Sequence, residues 1–296
     1  MFSGLSAFPL TPMNDECIDE AAFSRLVERL VNAGVDSICA LGSTGNYAYL
    51  TVSERVRITE LSVRLAGSIP VLIGIGALRT RDVLELAHAA QEAGACGVLL
   101  APVSYQALAD DEVFDLYKVV TQSISIPLVV YDNPVTTHFE FSDQLLGQIA
   151  ELPNVASIKI PGLPTKPEEA RARIRQLRSQ IPDHVTVGVS GDIFGATGLN
   201  AGCEAWYSVI GGLFPQIALN ITRAAQEGRN DDALRLSEGL EPLWGLFHRY
   251  GSLRVVAAAA EALGLVNSPS LPLPLRAITG EDRQRLNAMI DELGLR

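Results

Sequence analysis

One lysine of this chain stands where a lysine is costly. Lys159 interrupts the apolar run Val155-Ala156-Ser157-Ile158-Lys159-Ile160, a pattern that predicts a buried β-strand. The chain has three lysines, Lys118, Lys159 and Lys166, against twenty arginines, so this one is not background composition. Burial disfavours the ammonium form and draws a lysine's pKa toward neutrality. A neutral, desolvated amine is a nucleophile able to form a Schiff base with a carbonyl compound. A lysine that snorkels to the strand end or pairs with a carboxylate would fit the same stretch.

A second residue bears on the first. Tyr131 ends the run Leu128-Val129-Val130-Tyr131, four residues past Pro127, and Lys159 lies four past Val155. At roughly 3.3 Å per residue the two side chains reach a similar height on adjacent strands. A phenol beside a Schiff-base lysine can move protons to and from the carbinolamine and the enamine. A lone strand-end tyrosine would otherwise be core with its hydroxyl satisfied. The turn Gly42-Ser43-Thr44-Gly45 presents hydroxyls and backbone N–H groups together, which suits a carboxylate, although many turns share that composition. In Ser190-Gly191-Asp192, Gly191 allows close backbone approach to a ligand, and Asp192 is expected to cap the following helix.

These residues need a scaffold that brings strand ends together. Eight short apolar runs read as strands: Gly4–Pro9, Ser37–Leu41, Val71–Gly76, Gly97–Ala101, Leu128–Tyr131, Val155–Ile160, Val185–Val189 and Ala205–Val209. They are apolar throughout rather than alternating, as parallel strands covered on both faces should be. Amphipathic stretches separate them, with a capping box at Thr51-Val52-Ser53-Glu54 and glycines closing helices at Gly34, Gly94 and Gly202. The count predicts an α/β chain folded as a (β/α)8 TIM barrel over residues 1–228. A doubly wound sheet is disfavoured because no G-x-G-x-x-G follows the first strand. Residues 229–296 predict a helical C-terminal extension of three helices, Asp231–Tyr250, Leu253–Leu263 and Glu281–Leu293. The proline-rich Asn267–Pro274 between them reads as a strap.

Composition excludes several classes. With 34 acidic against 23 basic residues the net charge is −11, which repels nucleic acid and anionic membranes. The apolar runs are strand-sized, short of the roughly 18 residues of a membrane helix. Cys17, Cys39, Cys96 and Cys203 form no C-x-x-C pair, and the four histidines are equally scattered. The expectation is a reduced, cytoplasmic protein with no metal and no cofactor.

Taken in order, G-S-T-G, Y-x-x-P, I-K and S-G-D at these separations resemble the dihydrodipicolinate synthase / N-acetylneuraminate lyase family of class I, Schiff-base-forming barrel enzymes. The resemblance implies that Lys159 forms an imine with pyruvate or another 2-oxo acid, and that Tyr131 is its proton shuttle. It implies that Ser43 and Thr44 hold the carboxylate, with Ser43 linking Tyr131 into a relay. It also implies a homo-oligomer, a tetramer or dimer, in which the loop after the fourth strand reaches a neighbouring site. Tyr105 is the catalytic candidate on that loop, and Thr136, Gly191 and Tyr207 complete the substrate-binding candidates.

Three departures separate this chain from the lysine-biosynthesis synthases. The fourth-strand loop reads Val103-Ser104-Tyr105, with serine where the second of two consecutive tyrosines would stand. Val135-Thr136-Thr137-His138 lacks the arginine that engages a second substrate's carboxylate, and Asn46 replaces the usual glutamate. The leading expectation is therefore a lyase, an aldolase or dehydratase of a hydroxylated 2-oxo acid. The alternatives are dihydrodipicolinate synthase itself and a non-catalytic 2-oxo-acid-binding homologue.

Overall fold

The computed structural model of the protein describes residues 2–295. Eight parallel strands close into a barrel: β1 (Gly4–Ala7), β2 (Ser37–Ala40), β3 (Val71–Gly74), β4 (Gly97–Leu100), β5 (Leu128–Tyr131), β6 (Val155–Ile160), β7 (Thr186–Val189) and β8 (Ala205–Ser208). Each pairs with its sequence neighbours, and β1 pairs with both β8 and β2 to complete the ring. The expected TIM barrel is the observed one.

Parallel neighbours need a crossover, and helices supply it. They are α1 (Glu20–Ala33), α2 (Val52–Leu65), α3 (Thr80–Glu92), α4 (Asp110–Ser123), α5 (Asp143–Ala150), α6 (Pro167–Arg178), α7 (Gly195–Ala201) and α8 (Pro215–Gln226). The Thr51–Glu54 capping box is formed, with Thr51 N donating to Glu54 Oε2 at 2.7 Å. Gly34 closes α1 in the left-handed conformation, φ 71°, with its N–H on the carbonyls of Leu30 and Val31.

The strands bury both faces and so divide the core in two. Outward residues such as Leu128, Val130 and Ile158 pack under the helices. Inward residues, among them Phe2, Cys39, Leu72, Leu99, Val129, Tyr131 and Tyr207, fill the barrel. The bottom is clamped by Asp36, which accepts from the Leu5 N–H at 2.7 Å and from both terminal nitrogens of Arg223 on α8.

After α8 the chain continues as α9 (Asn230–Glu238), α10 (Glu241–Tyr250), α11 (Ser252–Ala262) and α12 (Gly280–Glu292). The helix expected over Asp231–Tyr250 is thus two. Pro242 lacks an N–H and fits only a first helical turn, so the chain restarts at Glu241 after a break at Gly239-Leu240. The strap lies between α11 and a small hairpin, Met13–Asn14 with Cys17–Ile18, that the sequence did not announce. Ser270 accepts from Met13 N through its carbonyl and donates to Glu261 through its own N–H. Leu271 is buried there while Leu273 is exposed. Glu261 also receives Arg283 of α12 at 3.0 Å, which fastens the last helix to the same point.

Candidate active site

The centre of the site is set by strand register. Tyr131 on β5 is paired with Lys159 on β6, and Lys159 with Gly188 on β7. Paired residues of parallel strands face the same way, so Tyr131 and Lys159 both enter the barrel at its C-terminal end. Lys159 is 3% exposed. Its Nζ lies 3.9 Å from the ring centroids of Tyr131 and of Phe8, and 5.8 Å from that of Tyr207.

This aromatic cage decides the charge of the amine. Burial lowers the Lys159 pKa to about 8, and the nearby Cys39 and Asp192 oppose that fall. Among the described residues Lys159 forms no ion pair, so no carboxylate fixes it in the cationic form. The ring faces hold a cation weakly. An amine so placed is available as a nucleophile near neutral pH.

The neighbouring strands make room for the cage. A Cβ on Gly188 would stand 2.3 Å from Cε2 of Tyr207, so only glycine admits that ring beside Lys159. Phe8 meets Tyr207 edge to face, with centroids 6.1 Å apart, and a Cβ on Gly42 would meet Phe8 at 2.6 Å. The Tyr207 hydroxyl is within 2.7 Å of Ser157 Oγ, inside the barrel. Tyr207 therefore offers the site its ring, with its hydroxyl already engaged.

Tyr131 carries the polar edge. Its hydroxyl lies 3.4 Å from Ser43 Oγ and 2.9 Å from Nδ2 of Asn133. Burial pushes the phenol up to about 12, and the Ser43 contact works against that rise. Ser43 opens a 3₁₀ turn, Ser43–Gly45, that directly follows β2 and is closed by Gly45 N donating to the Gly42 carbonyl. Thr44 is buried in the same turn, beside a cavity of about 10 Å³ that Phe8, Val209 and Gly212 also line.

The remaining candidates spread around the mouth. Gly191 has φ 77° and its carbonyl accepts from Phe194 N. Thr136 is exposed on the short helix Pro134–Thr137, where its Oγ1 accepts from Asn133 Nδ2 at 2.6 Å. Tyr105 is 91% exposed on the loop after β4, apart from the Lys159 cage of its own chain.

Asp192 differs from expectation. It does not cap the helix that follows it. Its carboxylate reaches the end of β8 and accepts from Ser208 Oγ at 2.9 Å, Val209 N at 3.1 Å and Ile210 N at 2.8 Å. Burial raises its pKa to about 6 against those donors and the charge of Lys159. The unpaired N–H groups where β8 turns are a stronger attraction than its own helix start.

Three contributors escaped sequence reading. Phe8 lies just past β1 and carries no local signal. Asn133 was visible only as part of Y-D-N-P. Arg55 of α2 is buried and donates to the carbonyls of Gly74 and Gly76 at the end of β3, both at 2.9 Å, with its guanidinium 5.3 Å from the Tyr47 ring. It stands one residue after the capping-box glutamate, in the first turn of α2. Among the described residues no cluster of three histidines, cysteines or carboxylates could hold a metal ion, and no helix is long and apolar enough to cross a membrane.

Comparison with known proteins bears on the family and the fold. The model of the dihydrodipicolinate synthetase family matches residues 1–293. A dihydrodipicolinate synthase structure from Agrobacterium tumefaciens superposes with a TM-score of 0.94 at 43% identity, covering 99% of this chain and 98% of that one. A chloride-inhibited dihydrodipicolinate synthase from Acinetobacter baumannii, solved with pyruvate, gives 0.90 at 25% identity over the whole of both chains. A 4-hydroxy-tetrahydrodipicolinate synthase of Persephonella marina is 27% identical over 300 residues, which span all of this chain and 99% of that protein. With a family model matched from end to end and the barrel reproduced at 43% identity, the chain belongs to the dihydrodipicolinate synthetase family, an enzyme family of class I lyases.

Proposed function

We propose that the protein is a lyase that acts on a hydroxylated 2-oxo acid through a Schiff base on Lys159. The observation that carries this reading is the register pair Tyr131–Lys159, which seats a buried amine, without an ion pair among the described residues, against the ring of a phenol. Neutral Nζ attacks the ketone carbon and the carbinolamine loses water to give the imine. The protonated imine withdraws electrons from the neighbouring bonds. Either the C3–C4 bond breaks, or a C3 proton leaves and the C4 hydroxyl departs. Water then hydrolyses the imine and frees Lys159. Tyr131 carries the protons, with Ser43 as its outlet.

The other candidates take supporting roles. Ser43 and Thr44, with the N–H groups of their turn, hold the substrate carboxylate. Tyr207 supplies a wall, Gly191 a close backbone edge, and Thr136 a hydroxyl at the mouth where the distal part of the substrate lies. Val135 and His138, together with Thr136 and Thr137, give that region no permanent cation. Exposed Tyr49, Leu78, Tyr105 and Val135 stand on the loops after β2, β3, β4 and β5, four consecutive strands. This apolar row is the face through which a second copy would bring its Tyr105 toward the site.

Borohydride added with pyruvate should leave a reduced adduct on Lys159, seen by peptide mass spectrometry. An unmodified lysine after several 2-oxo acids would sink the mechanism. The names of the relatives favour a second reading, condensation of pyruvate with aspartate semialdehyde. A coupled assay of that condensation, run beside a screen of sugar-derived 2-oxo acids, separates the two.

A further inference from the structure

The Tyr131 hydroxyl has a nearer partner than Ser43. Asn133 Nδ2 donates to it at 2.9 Å, and the other hydrogen of the same amide goes to Thr136 Oγ1 at 2.6 Å. Both hydrogens are thus spent, one on the phenol and one on a residue that holds the amide in place. Asn133 sits where the chain turns from β5 into the helix Pro134–Thr137. Its carbonyl accepts from Thr136 N and Thr137 N, so its backbone is fixed independently of its side chain.

We infer that Asn133 is a positioning residue whose amide stabilises Tyr131 as phenolate, supplying from the same chain a donor to the proton shuttle. This rests on the Schiff-base reading above. During imine formation Tyr131 gives its proton to the hydroxyl leaving the carbinolamine, which departs as water. The phenolate then takes a C3 proton, and the electron pair of that C–H bond becomes the enamine. Between those two events the negative charge sits on the oxygen of a buried side chain. An N–H aimed at that oxygen is worth most at that moment, as in an oxyanion hole. The charged and titratable groups about Tyr131 do not replace it. The protonated imine nitrogen of Lys159 lies over the Tyr131 ring and not at its oxygen, while Cys39 and Asp132 each disfavour a phenolate there.

Pyruvate alone tests the inference, because imine–enamine cycling exchanges its methyl protons with deuterium oxide. Exchange is followed by NMR, with borohydride trapping in parallel. Asn133→Val should lower exchange about 10- to 100-fold while still yielding the Lys159 adduct at long times, which also reports a folded pocket. Asn133→Asp supplies the readout that a merely structural role would not move. A carboxylate cannot donate to the phenol but a carboxylic acid can, so exchange relative to wild type at the same pH should climb as the pH falls toward 5. Wild-type exchange in Asn133→Val, or a carboxylate at 133 that sustains full exchange at pH 8, overturns the inference and leaves the Schiff base standing. Wild-type protein that neither exchanges nor traps pyruvate overturns both.

Discussion

Tyr131 and Lys159 occupy paired positions on adjacent parallel strands, and the lysine nitrogen lies 3.9 Å from the centre of the tyrosine ring. Neither residue selects that geometry for itself. The β5–β6 register does, and the register is held by the barrel's closure and by apolar residues on both faces of each strand. The amine meets the ring and not the hydroxyl, so the phenol stays free to work with Ser43 and Asn133. Nucleophile and proton carrier are thereby adjacent without neutralising each other.

The amine's environment gives a pH dependence with a defined sign. Trapping by pyruvate and borohydride needs neutral Lys159, so its initial rate should rise with pH and level off above about 8. Stability should move in the same direction. The folded-state pKa lies below the ordinary 10.5, so between about 8 and 10.5 the unfolded chain binds a proton that the folded chain does not. Lys159 therefore makes the protein more stable as pH rises through that window. Below about pH 8 the buried charge costs stability, with an upper bound of about 3 kcal/mol. Lys159→Met should abolish the adduct and leave the Tm at pH 7 equal to or above that of wild type. A Tm several degrees lower would show that the amine contributes packing or bonding beyond this account.

Tyr131→Phe separates the ring from the hydroxyl. The ring still covers Nζ, so the barrel interior keeps its packing and the Tm should change by less than that of a core truncation. Pyruvate exchange should fall by about two to four orders of magnitude, the usual contribution of a placed acid–base group. Near-wild-type exchange in this variant would move the shuttle to another residue.

Much of this site was legible because strand geometry is rigid. A fixed rise per residue brings Tyr131 and Lys159 to within one residue of the same height once their strands are recognised, and the extra residue Ala156 in β6, which carries no sequence signal, completes their pairing. What remained hidden was contact between distant segments. Nothing near Phe8 says that it covers a lysine 151 positions away. Asp192 looked like a helix cap because local rules know only its own helix, whereas the donors that won it are at the end of β8 and just beyond it. The hairpin at Met13–Ile18 turns through Asp15 and Glu16, both at positive φ, without the glycine that marks such turns. Tyr105 points to the same limit, since its proposed role belongs to a pair of chains.

Gly188→Ala probes the cage wall without touching a polar group. Its methyl would stand 2.3 Å from Tyr207 Cε2 and 2.7 Å from Cδ2, closer than any real contact allows. The ring must move, and it is held at one end by Ser157 and along its edge by Phe8. Overpacking of this kind costs about 1–3 kcal/mol, read as a lower Tm. Trapping on Lys159 should slow as well, because the displaced ring lies against the amine. Pairing the change with Tyr207→Leu should restore part of the stability. If the double variant is no more stable than Gly188→Ala alone, the clash is not the cause.

Arg55 tests support from outside the barrel. It is a buried cation that pairs with no carboxylate among the described residues, held by the carbonyls of Gly74 and Gly76 and by the Tyr47 ring, and burial lowers its pKa to about 10. Those carbonyls lie where β3 ends, and Tyr47 borders the cavity of about 10 Å³ that Tyr131 also lines. Arg55→Met removes the donors while keeping the length of the side chain. It leaves two carbonyls unpaired in a space that the thioether fills without bonding, so a loss of about 2–4 kcal/mol is expected in denaturant unfolding. Arg55→Lys should recover only part of it, because an ammonium cannot span both carbonyls in the guanidinium's planar fork while lying on Tyr47. Full recovery by lysine would mean that charge, and not the fork, fixes the end of β3.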